Sequence, residues 1–293
     1  MPRSISKSPA LERIIASPEH SFRCVSHDFP CEVARWNYHP EHELHLIRRS
    51  TGRVFVGDYI GSFGPGHLAF VNSNVPHNWV SDLHPDEVVA DRDLVIQFDP
   101  GLLEKAASLF PELRSFLPSL EVFNRSWQFH DDCARAGASL MEDISTATGV
   151  TRLIRFLELL HLLATTKDRT PLATPSYVPT LDQAASDQIE KAMRFILARL
   201  PHEVSMEEVA THVGMSSSSF SRFFKRNTAH NFVDYMRKLR IGEASRLLAE
   251  TQRPITDICF DVGYANISSF NRSFREERGM TPSAYRRLSR AID

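Results

Sequence analysis

No stretch of this 293-residue sequence approaches about eighteen uninterrupted apolar residues, the length that a membrane-spanning helix requires. The first twenty residues, MPRSISKSPALERIIASPEH, lack the apolar core of a secretory signal, so a cytoplasmic location without membrane contact is expected. Cysteine is scarce. Cys24, Cys31, Cys133 and Cys259 show no C-x-x-C spacing, which argues against a zinc knuckle and a disulfide framework, and Cys259 falls at an apolar helical position where a buried thiol is expected. Strong charge of one sign is also lacking: 34 Lys and Arg stand against 36 Asp and Glu, so bulk charge alone selects no partner. What remains, 42% hydrophobic and 24% charged residues, is the composition of a folded chain, long enough for two domains.

The near-neutral total hides a division. From Asp187 onward 17 basic residues face 13 acidic ones, whereas the preceding part has 17 against 23. Such asymmetry suits a nucleic-acid-binding half joined to a mildly acidic half. Residues 20–100 read as short strands: Leu44–Ile47, Val54–Val56, Leu68–Val71 and Leu94–Phe98, separated by turn formers such as Ser50-Thr51-Gly52 and Gly64-Pro65-Gly66. That spacing predicts a β-sandwich or barrel. From about Gly101 the pattern turns helical. Leu153, Leu157, Leu160 and Ala164, widened by Ile154, Leu159 and Leu163, form a stripe that fits either packing within the domain or a dimer seam. Pro171, Pro175 and Pro179 then mark a stiffened, non-helical connection. The expected organisation is a first domain over 1–166, a Pro-rich linker over 167–186 and an all-α domain over 187–293.

The last part repeats itself. Val213-Gly214 matches Val262-Gly263, 49 residues on, while Phe220, Arg222, Phe224, Lys225 and Tyr235 match Phe270, Arg272, Phe274, Arg275 and Tyr285, each 50 residues on. The one-residue difference falls in the turn after the glycine, where an insertion costs little. In the first copy, Ser205 and Glu208 make a capping-box pattern, Met206, Val209, Ala210 and Val213 bury one face, and Gly214 stops the helix in a left-handed conformation. A second helix starts near Ser217. Phe220, Phe223 and Phe224 turn inward and leave Ser218, Ser221, Arg222 and Lys225 outside. In the second copy Pro254 opens a helix with Ile255, Ile258, Cys259 and Val262 inward; Ile267, Phe270 and Phe274 then bury the next helix, leaving Ser268, Asn271, Arg272 and Arg275 outside. Asn231 to Ala249 reads as one long helix joining the units, and Thr281-Pro282 opens a short last one.

Helix, glycine turn and a second helix with a small-polar and basic outer face is the pattern of a helix-turn-helix. Arginine pairs in bidentate fashion with guanine and asparagine with adenine in the major groove, and serine reaches either. Ser218, Ser221, Arg222, Ser268, Asn271 and Arg272 are therefore the candidate base readers, with Lys225, Arg226 and Arg275 the candidate phosphate contacts. Arginine and serine occur on any surface helix; two copies in register are what distinguish this face.

The segment ITDICFDVGYANISSFNRSFREERGMTPSAYRR, from Ile255 to Arg287, resembles the signature of the AraC/XylS family of transcriptional regulators. Cys259 replaces the usual alanine. Ala229 stands where the first copy usually has glycine, so the linking helix is expected to begin differently. The resemblance implies two recognition helices in successive major grooves roughly 34 Å apart. It also implies promoter DNA as partner, a homodimer, and RNA polymerase as a further partner if the protein is an activator. Less specifically, His39-Pro-Glu-His-Glu43-Leu-His-Leu-Ile47, Gly64-Pro-Gly66 and Pro76-His77 resemble the cupin-like effector domain of the same family. The implied fold class is α+β, with a cupin-like β-barrel and accessory helices followed by the all-α double helix-turn-helix domain.

Metal-binding cupins present H-x-H-x(3,4)-E and a distant His. Here His39, Glu43 and His77 match, and Asn37 occupies the first His position. Three readings are open: a zinc-like divalent ion on His39, Glu43 and His77, polar groups holding an organic effector such as a sugar, or satisfied core histidines. His42 and His45 lie outside the pattern and are expected at the surface. Trp36 and Trp79 fit either stacking on a ligand or filling the core. The expected function is effector-responsive, sequence-specific DNA binding. The weaker alternatives are a metal-dependent cupin enzyme, disfavoured by the incomplete ligand set, and an architectural DNA binder without effector.

Overall fold

The computed structural model describes residues 20–289, except 32–33, 35, 85, 175–176, 178–182, 201 and 203. The residues on which the leader expectation rests lie outside the described ones, save His20. The described residues divide into two compact units, one up to residue 179 (Ile60–Ser62 apart) and one from residue 180. Among the described residues no helix is long and apolar enough to cross a membrane.

Among the described residues up to 174 there are nine strands: β1 (Phe22–Phe29), β2 (His42–Ile47), β3 (Gly52–Val56), β4 (Tyr59–Phe63), β5 (Leu68–Val71), β6 (His77–Ser81), β7 (Val89–Phe98), β8 (Ser126–Phe129) and β9 (Arg169–Leu172). They form a six-stranded sheet, β1-β7-β2-β5-β8-β9, and a three-stranded one, β4-β3-β6. Three helices accompany them, α1 (Leu102–Leu109), α2 (Asp131–Thr146) and α3 (Gly149–Thr165), with two short 3₁₀ turns between α1 and β8. The four strands expected from β-branched and large apolar residues are present.

Strand alternation sorts the side chains of the large sheet into two cores. Leu44, Leu46, Leu94, Ile96 and Phe98 pack against α2 and α3, where Phe22 stacks on Phe156 at 4.1 Å. Ile47, Ala69 and Val71 belong to a second core with Val54, Val56 and Trp79 of the small sheet. In β2 the alternation gives Leu44 and Leu46 to the first core and Glu43, His45 and Ile47 to the other face. Both faces are covered, so Glu43 and His45 are buried. The surface expectation for His45 is thus overturned, and His42 is half-buried against the rings of Phe70 and Phe98.

The expected linker is in part built into the first unit. Residues Arg169–Leu172 pair with β8 at the sheet edge, with Pro171 opposite Trp127. An edge position tolerates proline because the missing N–H faces no further strand. Helix α4 (Gln183–Leu197) begins four residues before residue 187. Pro175 and Pro179 lie outside the described residues.

The second unit continues with α5 (Met206–His212), α6 (Ser217–Thr228), α7 (Phe232–Glu250), α8 (Ile255–Asp261), α9 (Ile267–Arg278) and α10 (Pro282–Ser289). The capping box is formed, with the Glu208 N–H donating to Ser205 Oγ at 3.2 Å and the Ser205 N–H to Glu208 Oε2 at 2.8 Å. Gly214 and Gly263 close α5 and α8 at φ of 74° and 87°.

Candidate nucleic-acid interface and a buried histidine–carboxylate cluster

The repeat read from sequence recurs in structure in its turns and in most of its caps, although Ser205 caps α5 through its side chain and Pro254 gives α8 no such bond. Met215 N–H donates to Ala210 O at 2.9 Å and Tyr264 N–H to Cys259 O at 3.1 Å. Ser216 caps α6 by accepting from Ser219 N–H, and Asn266 caps α9 by accepting from Ser269 N–H. Asn231 accepts from Asp234 N–H and Thr281 from Ala284 N–H, again fifty residues apart. Phe224 meets Tyr235 edge-on at 4.9 Å, as Phe274 meets Tyr285 at 5.5 Å. Ala229 ends α6 in the same left-handed conformation, φ 58°, that Gly279 adopts at the end of α9. The expectation that the linking helix starts differently is therefore overturned; the alanine accepts the glycine's conformation.

These contacts turn Phe220, Phe224, Phe270 and Phe274 fully inward. Of the candidate base readers, Ser218, Ser221 and Arg222 on α6 and Ser268 and Arg272 on α9 are exposed, and Asn271 is half-exposed. The candidate phosphate contacts Lys225, Arg226 and Arg275 are exposed as well. Both outer faces stand on helices whose opposite sides are locked by aromatic packing. Arg237 and Lys238 of α7 donate to Glu277 of α9 at 2.9 and 3.1 Å, fixing the joining helix to the second copy.

A separate cluster lies between the sheets of the first unit. The register sets Glu43 opposite Gln97 and His27 opposite Asp93. Glu43, 3% exposed, accepts from His45 Nδ1 at 3.0 Å, from Gln97 Nε2 at 2.9 Å and from His39 Nε2 at 3.0 Å, with His77 Nε2 at 3.5 Å. His45 also approaches Asp93 at 3.3 Å, and Asp93 accepts from His27 at 3.0 Å and from Arg92 Nε at 2.8 Å. Burial alone would push the Glu43 carboxyl up, but the nearby His77 and the hydrogen bonds from its three histidines hold it well below the usual carboxylate range. Burial likewise opposes charge on His45, and Asp93 and Glu43 outweigh it, so its pKa is raised.

His39, Glu43 and His77 each offer a ligand atom, and these atoms all lie within 4.8 Å of one another. His77 Nδ1 donates to Val75 O at 2.8 Å, and its Nε2 lies 3.5 Å from Glu43 Oε1. His39 Nδ1 stands 3.5 Å from Glu41. A histidine whose second nitrogen is held by a carbonyl or carboxylate is the usual form of a metal ligand. Glu43, His77 and Trp79 line a cavity of about 30 Å³ with Asp93 and Gln97. Trp79 stacks on His45 at 4.0 Å, so one of its faces is taken by protein. Trp36 and His39 are buried, but neither is among the residues lining the cavity. His45, Asp93, Arg92 and Gln97 were not among the candidates read from sequence; the period-two alternation of β2 and β7 is the signal that places His45, Asp93 and Gln97 with Glu43, while Arg92, one residue off that period, is not given by it.

Comparisons with known proteins bear on the helical unit most directly. A family described as Helix-turn-helix domain matches residues 209–288. Regulatory protein SoxS of Escherichia coli K12 is 34% identical over 98 residues, covering 33% of this chain and 92% of that protein. The HTH-type transcriptional activator RhaR of Klebsiella pneumoniae is 25% identical over 283 residues, covering 91% of this chain and 92% of that protein. Regulatory protein PocR of Salmonella typhimurium is 33% identical over 99 residues, and the chain spans only a third of its length. With both helix-turn-helix copies formed and the SoxS match spanning nearly all of that protein, the chain belongs to the AraC/XylS family of DNA-binding transcriptional regulators.

Proposed function

We propose that the protein reads a promoter sequence through α6 and α9 and that a ligand held between the sheets of the first unit governs this binding. The observation that carries the first part is the exposure, in both copies, of equivalent polar faces on helices that share a side-chain N-cap (Ser216 and Asn266) and the same phenylalanine–tyrosine contact. Arg222, Ser218 and Ser221 on one helix and Arg272, Asn271 and Ser268 on the other contact base edges, while Lys225, Arg226 and Arg275 contact phosphates. Selection of duplexes from a randomised pool by the full chain tests this. Arg222→Ala and Arg272→Ala are each expected to lose roughly 1–3 kcal/mol of affinity for the selected duplex and to relax preference at one base. Unchanged affinity and preference in both variants would refute the assignment.

For the ligand, the size of the cavity favours an ion over a sugar ring, because organic-ligand pockets run to roughly 300–1,000 Å³. The donor set of two imidazoles and one carboxylate suits zinc or a similar divalent cation. Such an ion would be held by His39, Glu43 and His77 and would supply a fixed positive charge among these groups. RhaR is by its name a transcriptional activator, and we extend that direction of control, with RNA polymerase as partner, to this chain. The homodimer forms through the outer face of α3, where Val150, Leu153 and Ile154 are 72%, 38% and 51% exposed at helical spacing.

A further inference from the structure

A single turn joins the buried cluster to the end of the first unit. Val56 stands opposite His77 in the β3–β6 ladder, and the chain then turns at Gly57-Asp58. On one side of this turn, Gly57 N–H donates to Pro76 O at 2.8 Å, next to His77. On the other, both Asp58 carboxylate oxygens are engaged by Thr174, whose N–H donates at 2.8 Å and whose hydroxyl donates at 2.6 Å. Asp58 is buried, and so is Leu172, which packs in the core that holds Trp79. Gly57 has φ 57°, and a methyl group there would stand 3.0 Å from the Tyr177 ring and from Ala173 Cβ. The last described residues before the boundary at 179 are thus fastened to the same two-residue turn that is hydrogen-bonded beside His77.

We propose that the Gly57–Asp58 turn is a latch that carries the state of the His39–Glu43–His77 site to the segment leading into the helical unit. This rests on reading that cluster as a ligand site. A ligand that draws His77 toward Glu43 moves Pro76 and, through its carbonyl, Gly57. Asp58 follows, and with it the two hydrogen bonds that hold Thr174. Coupling of this kind needs an element that two sites both bias, and the turn is bonded to each. The device differs from a general stiffening of the sheets because it runs through one carboxylate and can be cut there.

The test is hydrogen exchange of the peptide spanning residues 169–177 in the full chain, with and without Zn²⁺, alongside a direct Zn²⁺ titration. In the wild type Zn²⁺ is expected to change the exchange rate of this peptide by at least about fivefold. Asp58→Asn, which can no longer accept from both Thr174 donors, and Thr174→Val, which removes the hydroxyl from the other side, are each expected to reduce that change to less than about twofold while Zn²⁺ affinity stays within about threefold of wild type. A Zn²⁺ effect on the peptide that survives in both variants, or Zn²⁺ uptake by the wild type that leaves the peptide unaltered, overturns the latch. If the wild type takes up no Zn²⁺, the metal reading of the site fails and the latch is decided by His77→Gln. Faster exchange of the 169–177 peptide in that variant supports the latch, and unaltered exchange overturns it.

Discussion

Ala229 and Gly279 occupy equivalent places fifty residues apart and end their helices in the same left-handed conformation, at φ 58° and 70°. For an L-residue that conformation costs about 1–2 kcal/mol, because Cβ crowds the following carbonyl. Glycine avoids this but leaves the unfolded chain freer, which offsets about 0.4–1 kcal/mol. Ala229 is exposed, so loss of its methyl group removes no buried contact. Ala229→Gly is therefore expected to stabilise the first helix-turn-helix by roughly 0.5–1 kcal/mol. The reciprocal change isolates the backbone effect: a β-carbon at Gly279 meets nothing within 4 Å, so Gly279→Ala should cost a similar amount through φ alone. The double variant should return to wild type within about 0.5 kcal/mol if the copies respond independently. Hydrogen exchange of the α6 and α7 amides in the full chain reads the effect, which corresponds to exchange slowed about two- to fivefold in Ala229→Gly. Unchanged or faster exchange would show that alanine is unstrained there and that the copies are not equivalent at this position.

The phosphate assignment predicts that Lys225→Ala and Arg275→Ala weaken binding to selected and random duplexes alike and reduce the salt slope of log K by about one each; titrations at several ionic strengths check this, and a loss confined to selected duplexes would contradict it. Ile154→Glu places a charge in the exposed face of α3 and is expected to convert a dimer to a monomer in sedimentation, whereas a persistent dimer would exclude that face as the seam. His42 is held neutral by burial, which outweighs the attraction of Asp99, and its pKa falls from 6.5 to about 4, while Ser73 N–H donates to its Nδ1 at 3.2 Å. The unfolded chain takes up this proton first as pH falls, so the contribution is complete above about 6.5 and is lost toward about 4, up to roughly 3 kcal/mol. Urea unfolding of the wild type and His42→Gln across this window should show a shallower pH dependence in the variant; parallel curves would contradict the assignment.

The helical unit was legible because its information is local. Caps at Ser205, Ser216 and Asn231, glycines at 214 and 263 and aromatic spacings of three and four residues act within one or two turns of chain, and duplication displays each signal twice. The first unit depends on pairings that local pattern does not specify. His27, Glu43, His77 and Asp93 meet because of the registers of β1, β2, β6 and β7, which join residues up to 76 positions apart. His42 and His45 looked exposed because they lie outside the cupin pattern; they fall on opposite faces of β2, and both are covered because a core lies on each face. Pro171 likewise read as linker because its tolerance at a sheet edge depends on which strand is outermost.

Burial of these groups carries its own argument about purpose. Glu43 and Asp93 are removed from water beside His45 and Arg92, and such an arrangement is commonly no more stable than well-packed apolar side chains of the same volume. The same alternation that fills the neighbouring positions of β2 and β7 with leucine, isoleucine and valine could have filled these. A fold that needed only a sandwich core had the cheaper choice one residue away on the same strands. Glu43 meets three histidines, and two of those present nitrogens whose ring partners face a carbonyl and a carboxylate. This arrangement is better explained by a ligand that uses those nitrogens than by stability. Full replacement of the cluster by apolar residues should then leave the sandwich folded while abolishing any Zn²⁺ dependence of DNA binding; loss of the fold would assign the cluster a structural role instead.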